Sequence, residues 1–256
     1  MEHESVQFFR SSDRKIASFF YRPTIERHPL VVFSHGLTNS HTDAPVFAEL
    51  RQALLAEGYP VFMFDYLGSG LSEGSFEDKT WENQRVCLGD ALDFSSTLDL
   101  RVPGVLLFGR SVGAALCGFF LHRQDVKGAV LASAPYYLES AFGRYRSRAV
   151  GGYVAMPDEL ERSGQIRGQW KLPIEFFDQL ASTEQQLRAA VKGAKNTLLV
   201  QGLDDPKVDR SHADGLFNQI SQPKKLVAIS GADHYYTNFC REVIDATISW
   251  YNGLER

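Results

Sequence analysis

Cysteine is scarce in this chain: its 256 residues contain three, Cys87, Cys117 and Cys240. They form no C-x-x-C pair and no metal-ligand spacing, which excludes a disulfide framework or a zinc site as the basis of the fold and fits a reducing compartment. Long apolar runs are missing too. No stretch approaches the roughly 20 residues that span a bilayer, and Met1-Glu2-His3-Glu4-Ser5 is polar and acidic with no apolar segment behind it. A soluble, cytoplasmic protein is expected. Basic charge is not in excess: a formal net charge of −4 and a pI near 6.0 are opposite to the balance of a nucleic-acid binder. The glycine-rich run Gly68-Ser69-Gly70-Leu71-Ser72-Glu73-Gly74-Ser75 lacks the Gly-Lys-Ser/Thr ending of a phosphate-binding loop and reads as a tight turn. Nothing indicates a cofactor or a metal, and no repeat or low-complexity segment interrupts the chain.

What is present is a large apolar inventory, 44% hydrophobic and 12% aromatic, enough to bury the core of one large α/β domain or two small ones. Val6 to Arg10 and Ile16 to Tyr21 predict an opening pair of strands around the polar turn Ser11-Ser12-Asp13. Strands at 30–33, 61–64 and 105–108 then alternate with helices at about 45–57 and 81–98. Three more strands are predicted at 129–132, 197–200 and 225–229, and a last helix at about 238–250. Continuous apolar strands separated by helices imply a mostly parallel sheet of about eight strands, covered on both faces.

Strict alternation stops between residues 135 and 190. This stretch is rich in aromatics, among them Tyr136, Tyr137, Phe142, Tyr145 and Trp170, and carries Arg144, Arg146, Arg148, Arg162 and Arg167. So aromatic an excursion from a compact domain predicts a small inserted cap or lid. The domain reading is a core of residues 1–134 and 191–256 with a cap at 135–190. The arginines read as a solvated face ahead of a site for an anionic substrate.

The run Val105-Leu106-Leu107-Phe108-Gly109-Arg110-Ser111-Val112-Gly113 places a G-x-S-x-G motif between an apolar strand and a small-residue helix. A serine on such a sharp strand-to-helix turn projects its hydroxyl from the sheet, which makes Ser111 a candidate nucleophile; the plain alternative is a helix-capping serine. A serine hydroxyl needs a general base, and the base needs a carboxylate to orient it. Asp204-Asp205 follows the strand that runs to Gln201-Gly202, and His234 follows the last strand, both where an open α/β sheet places its ligand crevice. Of the other histidines, His35 is the rival with a suggestive context. Position alone does not choose between Asp204 and Asp205. Cys117 and Cys240 read as small apolar side chains in helices.

The ordered motifs His35-Gly36, Asp65-Tyr66-Leu67-Gly68-Ser69-Gly70-Leu71-Ser72, Gly109-Arg110-Ser111-Val112-Gly113, Gly202-Leu203-Asp204-Asp205-Pro206-Lys207-Val208 and Gly231-Ala232-Asp233-His234 resemble those of the α/β-hydrolase superfamily along nearly the whole chain. The resemblance implies Asp205 as the triad acid, with Asp204 second, and a triad of Ser111, Asp205 and His234. It also implies an oxyanion hole made by the amides of Val112, at the helix start, and Leu37, after His-Gly. The serine nucleophile argues against the dehalogenase and epoxide hydrolase branches. The segments are similar to small cinnamoyl (feruloyl) esterase-like and monoglyceride lipase-like members and to the serine aminopeptidase-like branch.

The activity so implied is hydrolysis of small-molecule carboxylic esters of small to medium acyl groups through an acyl-enzyme. A thioesterase or peptidase with the same triad is the alternative, followed by a non-enzymatic ligand-binding member of the fold. Nucleic acid and membrane spans are not expected; the sequence does not speak to oligomeric state.

Overall fold

A computed structural model describes residues 3–42, 45–156 and 170–254. The chain opens with a hairpin of β1 (His3–Ser11) and β2 (Arg14–Arg22). Ser12 and Asp13 between them have φ of 46° and 63°. Positive φ at both turn residues gives the two-residue hairpin whose twist matches its strands. Then follow β3 (Leu30–Ser34), α1 (Pro45–Glu57), β4 (Val61–Phe64), α2 (Trp81–Ser95), β5 (Val105–Arg110), α3 (Val112–Gly118) and β6 (Val126–Ala132). The next stretch holds α4 (Leu138–Phe142), a 3-10 turn, the short strands β7 (Ala149–Val150), β8 (Tyr153–Ala155) and β9 (Lys171–Pro173), then α5 (Ile174–Asp178) and α6 (Leu180–Val191). The chain returns through β10 (Thr197–Gly202), α7 (Arg210–Gln219), β11 (Lys224–Ile229) and α8 (Cys240–Leu254).

Eight strands form one sheet in the order β1-β2-β4-β3-β5-β6-β10-β11. The strands from β4 to β11 run parallel, and β2 joins β4 antiparallel. This is the expected mostly parallel α/β-hydrolase sheet. Along β3, Leu30 and Val32 point into one core and Val31 and Phe33 into the other, so every position is buried and the strand reads as a continuous apolar run. Helices α1 and α8 close one face; α2, α3 and α6 close the other. No helix among the described residues is long and apolar enough to cross a membrane.

Helix α1 matches its expected limits, but two other helix ends move for identifiable reasons. Helix α2 stops at Ser95, short of the expected 98, because the hydroxyls of Ser95, Ser96 and Thr97 each donate to the carbonyl three residues back and tighten the last turn. The last helix starts at Cys240 because Asp233 accepts from the Tyr235 and Thr237 amides, while Tyr236 and Asn238 adopt φ of 56° and 65°. The stretch from 135 to 190 contains a three-stranded antiparallel sheet, β7-β8-β9, and α6, which packs on α3, α4 and α7. Arg162 and Arg167 lie outside the described residues.

The chain crosses from one side of β3 to the other between β4 and β5. That reversal leaves the ends of β3 and β5 side by side, Ser34 paired with Gly109, at the switch point where α/β sheets bind ligands. Helix α3 meets this point with almost no clearance: a Cβ on Gly113 would stand 2.2 Å from the Ser34 carbonyl oxygen. Gly113→Ala should therefore cost about 2 kcal/mol or more in stability. The check is thermal unfolding, where a Tm several degrees below wild type is expected.

Candidate active site

The turn between β5 and α3 is sharp because of one residue. Ser111 has φ 57° and ψ −130°, a conformation costly for a residue with a side chain, typically by about 1–3 kcal/mol. Its amide donates to the Ala132 carbonyl at 2.9 Å, and its carbonyl accepts from Ala114 at 2.8 Å and Ala115 at 3.2 Å. The backbone is thus tied to β6 on one side and α3 on the other. The hydroxyl makes no capping bond to the helix, which removes the capping-serine reading. It lies 3.0 Å from His234 Nε2.

His234 is delivered by the loop after β11, which is held to the loop after β10 by the Asp204 amide donating to the Ala232 carbonyl at 3.0 Å. That contact uses only the backbone of Asp204, whose side chain is exposed. Asp205 turns inward: its Oδ2 accepts from His234 Nδ1 at 2.8 Å, and its Oδ1 accepts from the Lys207 and Val208 amides at 2.9 and 3.0 Å. The structure thus brings Ser111, His234 and Asp205 into one hydrogen-bonded line and leaves Asp204 outside it.

Electrostatics fit the tautomer this line needs. Burial pushes the His234 imidazole below its usual pKa; Asp205 opposes that shift, while the Arg110 and Lys207 charges reinforce it. Burial alone would raise Asp205, but the His234 hydrogen bond and charge, with the two backbone donors, outweigh it and hold the carboxyl below the usual range. A neutral imidazole that donates from Nδ1 to a carboxylate presents the Nε2 lone pair to the Ser111 hydroxyl.

Leu37 and Val112 line the same cleft as Ser111 and His234. Among the described residues neither amide donates to a protein acceptor outside its own helix, so both are available to a developing oxyanion. His35, the rival histidine, has both ring nitrogens committed to structure. Its Nδ1 donates to the Gly36 carbonyl at 2.8 Å and its Nε2 accepts from the Tyr66 amide at 3.1 Å. Burial first, then the Lys79 charge, push its pKa down to about 3, so it stays neutral. The Asp65 motif is likewise structural: the carboxylate accepts from the His41 and Leu71 amides, and a Cβ on Gly70 would stand 2.1 Å from it. Burial pushes the Cys117 thiol up to about 12, consistent with an inert packing role.

Three polar residues around the site were not singled out from the sequence. Buried Arg110 donates to the His234 carbonyl at 3.1 Å and to Asn39 Oδ1, and its guanidinium lies 5.1 Å from the Tyr235 ring centroid. Lys79 donates to the Leu37 carbonyl at 2.8 Å. Arg110 occupies a variable position inside G-x-S-x-G, and Asn39 and Lys79 belong to no motif, so their contacts at the site emerge only once the chain is folded.

The cleft over Ser111 and His234 is open to solvent. Phe142, Tyr145, Met156, Leu37 and Val208 give it apolar walls. Of the described arginines between 135 and 190, Arg144 lines it beside Tyr145, Arg146 pairs with Asp178, and Arg148 lies over the Tyr145 ring.

Residues 25–238 match the family described as serine aminopeptidase, S33. The chain belongs to that family. This S33-family chain is 31% identical over 134 residues to the quorum-quenching protein AidA of Acinetobacter baumannii, a match that covers 50% of this chain and 42% of AidA. The chain thus spans less than half of that relative. It is 25% identical over 242 residues to the uncharacterized protein YfhR of Escherichia coli, covering 90% of this chain and 73% of YfhR. Among solved structures, Est1E of Butyrivibrio proteoclasticus with ferulic acid bound superposes with a TM-score of 0.79 at 19% identity, over 95% of this chain and 97% of Est1E. That likeness shows the α/β-hydrolase fold.

If the geometry acts as a triad, Asp205→Asn should lower kcat by about 10⁴-fold through the wrong imidazole tautomer; Asp204→Asn should leave it within about twofold of wild type. Steady-state kinetics on one ester separates the two. The pH profile is a second check. Protonation of His234 abolishes its basicity, so kcat/KM should fall on the acid side with a midpoint below 6.5. Lys207→Met removes a cation that opposes protonation, and the midpoint should move up.

Proposed function

We propose that this protein is a serine carboxylesterase acting through an acyl-enzyme, with Ser111 as nucleophile, His234 as general base and Asp205 as its orienting carboxylate. The observation that carries the reading is the continuous line Ser111 Oγ, His234 Nε2, His234 Nδ1, Asp205 Oδ2, with separations of 3.0 and 2.8 Å.

Ser111 Oγ bonds to the ester carbonyl carbon while its proton passes to His234 Nε2. The carbonyl electrons move onto oxygen, where the Leu37 and Val112 amides receive the charge. Collapse breaks the bond to the alcohol oxygen, which takes the proton from His234 and leaves. Water, deprotonated by the same imidazole, attacks the acyl-enzyme; collapse of that second intermediate returns the proton to Ser111 and releases the acid.

The substrate is a small molecule. An open cleft with apolar walls from Phe142, Tyr145 and Met156 suits a small to medium acyl or aryl-acyl group. The stretch 135–190, which supplies those three walls, is read as a cap over the site.

The test is hydrolysis of p-nitrophenyl esters from acetate to long acyl chains, with a cinnamoyl ester added, by wild type and Ser111→Ala. Wild type should turn over the short and medium members, and Ser111→Ala should fall to background, a loss on the order of 10⁶-fold in comparable sites. Wild-type inactivity on every ester, with turnover of a thioester or amide instead, would overturn the esterase reading.

A further inference from the structure

Lys79 is fully buried, in the single-residue step between a 3-10 turn at 76–78 and the N-cap of α2. Stripping an ammonium of water is costly unless its protons are taken up. Its Nζ donates to the Leu37 carbonyl at 2.8 Å and to Ser69 Oγ, and lies 4.7 Å from the Phe76 ring centroid. It therefore ties the loop after β3 to the loop after β4.

The Leu37 carbonyl is a sensitive point. The Asn39 amide donates to the Gly36 carbonyl at 3.1 Å, so residues 36–39 form a tight turn whose middle peptide joins Leu37 to Thr38. The middle peptide of such a turn can rotate as a unit and reverse its carbonyl while the closing bond survives. A trans peptide points its N–H opposite to its own C=O. The Gly36 carbonyl, gripped by His35 Nδ1 and the Asn39 amide, thus aims the Leu37 N–H the other way. The next peptide is gripped by Lys79. Without that grip the Leu37 carbonyl would lose a buried donor and could swing toward solvent in the cleft, setting a partial negative charge beside the point where the oxyanion develops.

We propose that Lys79 is a positioning residue for the oxyanion hole: its ammonium holds the Leu37 carbonyl on the buried side of the loop and keeps the backbone donors, not an acceptor, facing Ser111. The proposal rests on the role assigned to Leu37 above.

The experiment compares wild type, Lys79→Met and Lys79→Gln by kcat and KM on p-nitrophenyl butyrate. It also compares the rate at which a fluorophosphonate labels Ser111, since phosphonylation uses the same hole. Circular dichroism and melting establish the folded fraction. Methionine keeps the bulk without a donor; glutamine ends one atom short of the Nζ position. Both variants should lose roughly 10- to 100-fold in kcat, the scale of a misplaced catalytic geometry, with KM within about twofold and labelling slowed in parallel. Folded Lys79→Met with wild-type kcat and labelling overturns the proposal. If that variant does not fold, Lys79→Gln decides on the same readouts, and a loss of activity only in proportion to its folded fraction overturns it. A wild type that hydrolyses no ester counts against the proposed function instead; Lys79 is then judged on labelling rate alone.

Discussion

The strained backbone at Ser111 is the constraint on which the rest depends. Its φ of 57° is held because the flanking elements leave it nowhere to relax. The amide is paired to Ala132 on β6, while Gly113 lies so close to the end of β3 that the first turn of α3 has no room to shift toward the sheet. Burial of β3, β5 and β6 between two helical layers supplies the free energy that offsets the strain. The core thus does more than stabilise the domain: it maintains a serine whose hydroxyl is barred from the helix and directed to His234.

Charge is distributed around this serine in an uneven way. Arg110 and Lys79 are buried cations that meet carbonyl, amide and hydroxyl oxygens at the site, whereas the surface arginines Arg85, Arg210 and Arg241 pair with carboxylates on their own helices. Each of the two buried cations grips a loop that follows a strand: Arg110 the His234 loop, Lys79 the Leu37 loop. A guanidinium beside His234 also disfavours a second positive charge on the imidazole, so one side chain both anchors the His234 backbone and helps to keep the ring neutral.

How much of this was legible in the sequence follows from the physical origin of each feature. Buried parallel strands must be apolar at consecutive positions, so β3, β4, β5 and β10 stand out as runs. The strand ends do not, because pairing continues into residues such as Arg110 and Gly202 whose side chains carry no strand signal. Edge strand β11 begins at Lys224, where its partly exposed side chains blur the pattern. Ser111, His234 and Asp205 were legible because each sits at a fixed offset from a strand end and has a distinctive side chain. Asp205 was separated from Asp204 by resemblance, and the geometry gives the reason: one backbone turn brings the Asp205 carboxylate to the imidazole and sends the other to solvent.

Lys79 and Arg110 were illegible for a different reason. A lysine between the acidic pair Glu77-Asp78 and a helix cap has the sequence context of a solvated residue, and only the packing of Phe76, Ser69 and Leu37 around it makes it buried. Buried cations are unfavourable unless they meet a specific set of acceptors, so their presence carries information that local propensity cannot. An apolar residue would satisfy the core at position 79, but it would leave the Leu37 carbonyl without its donor. Retaining the desolvated ammonium is economical only where the orientation of that one peptide matters, and the peptide in question borders the only strained serine–histidine contact among the described residues.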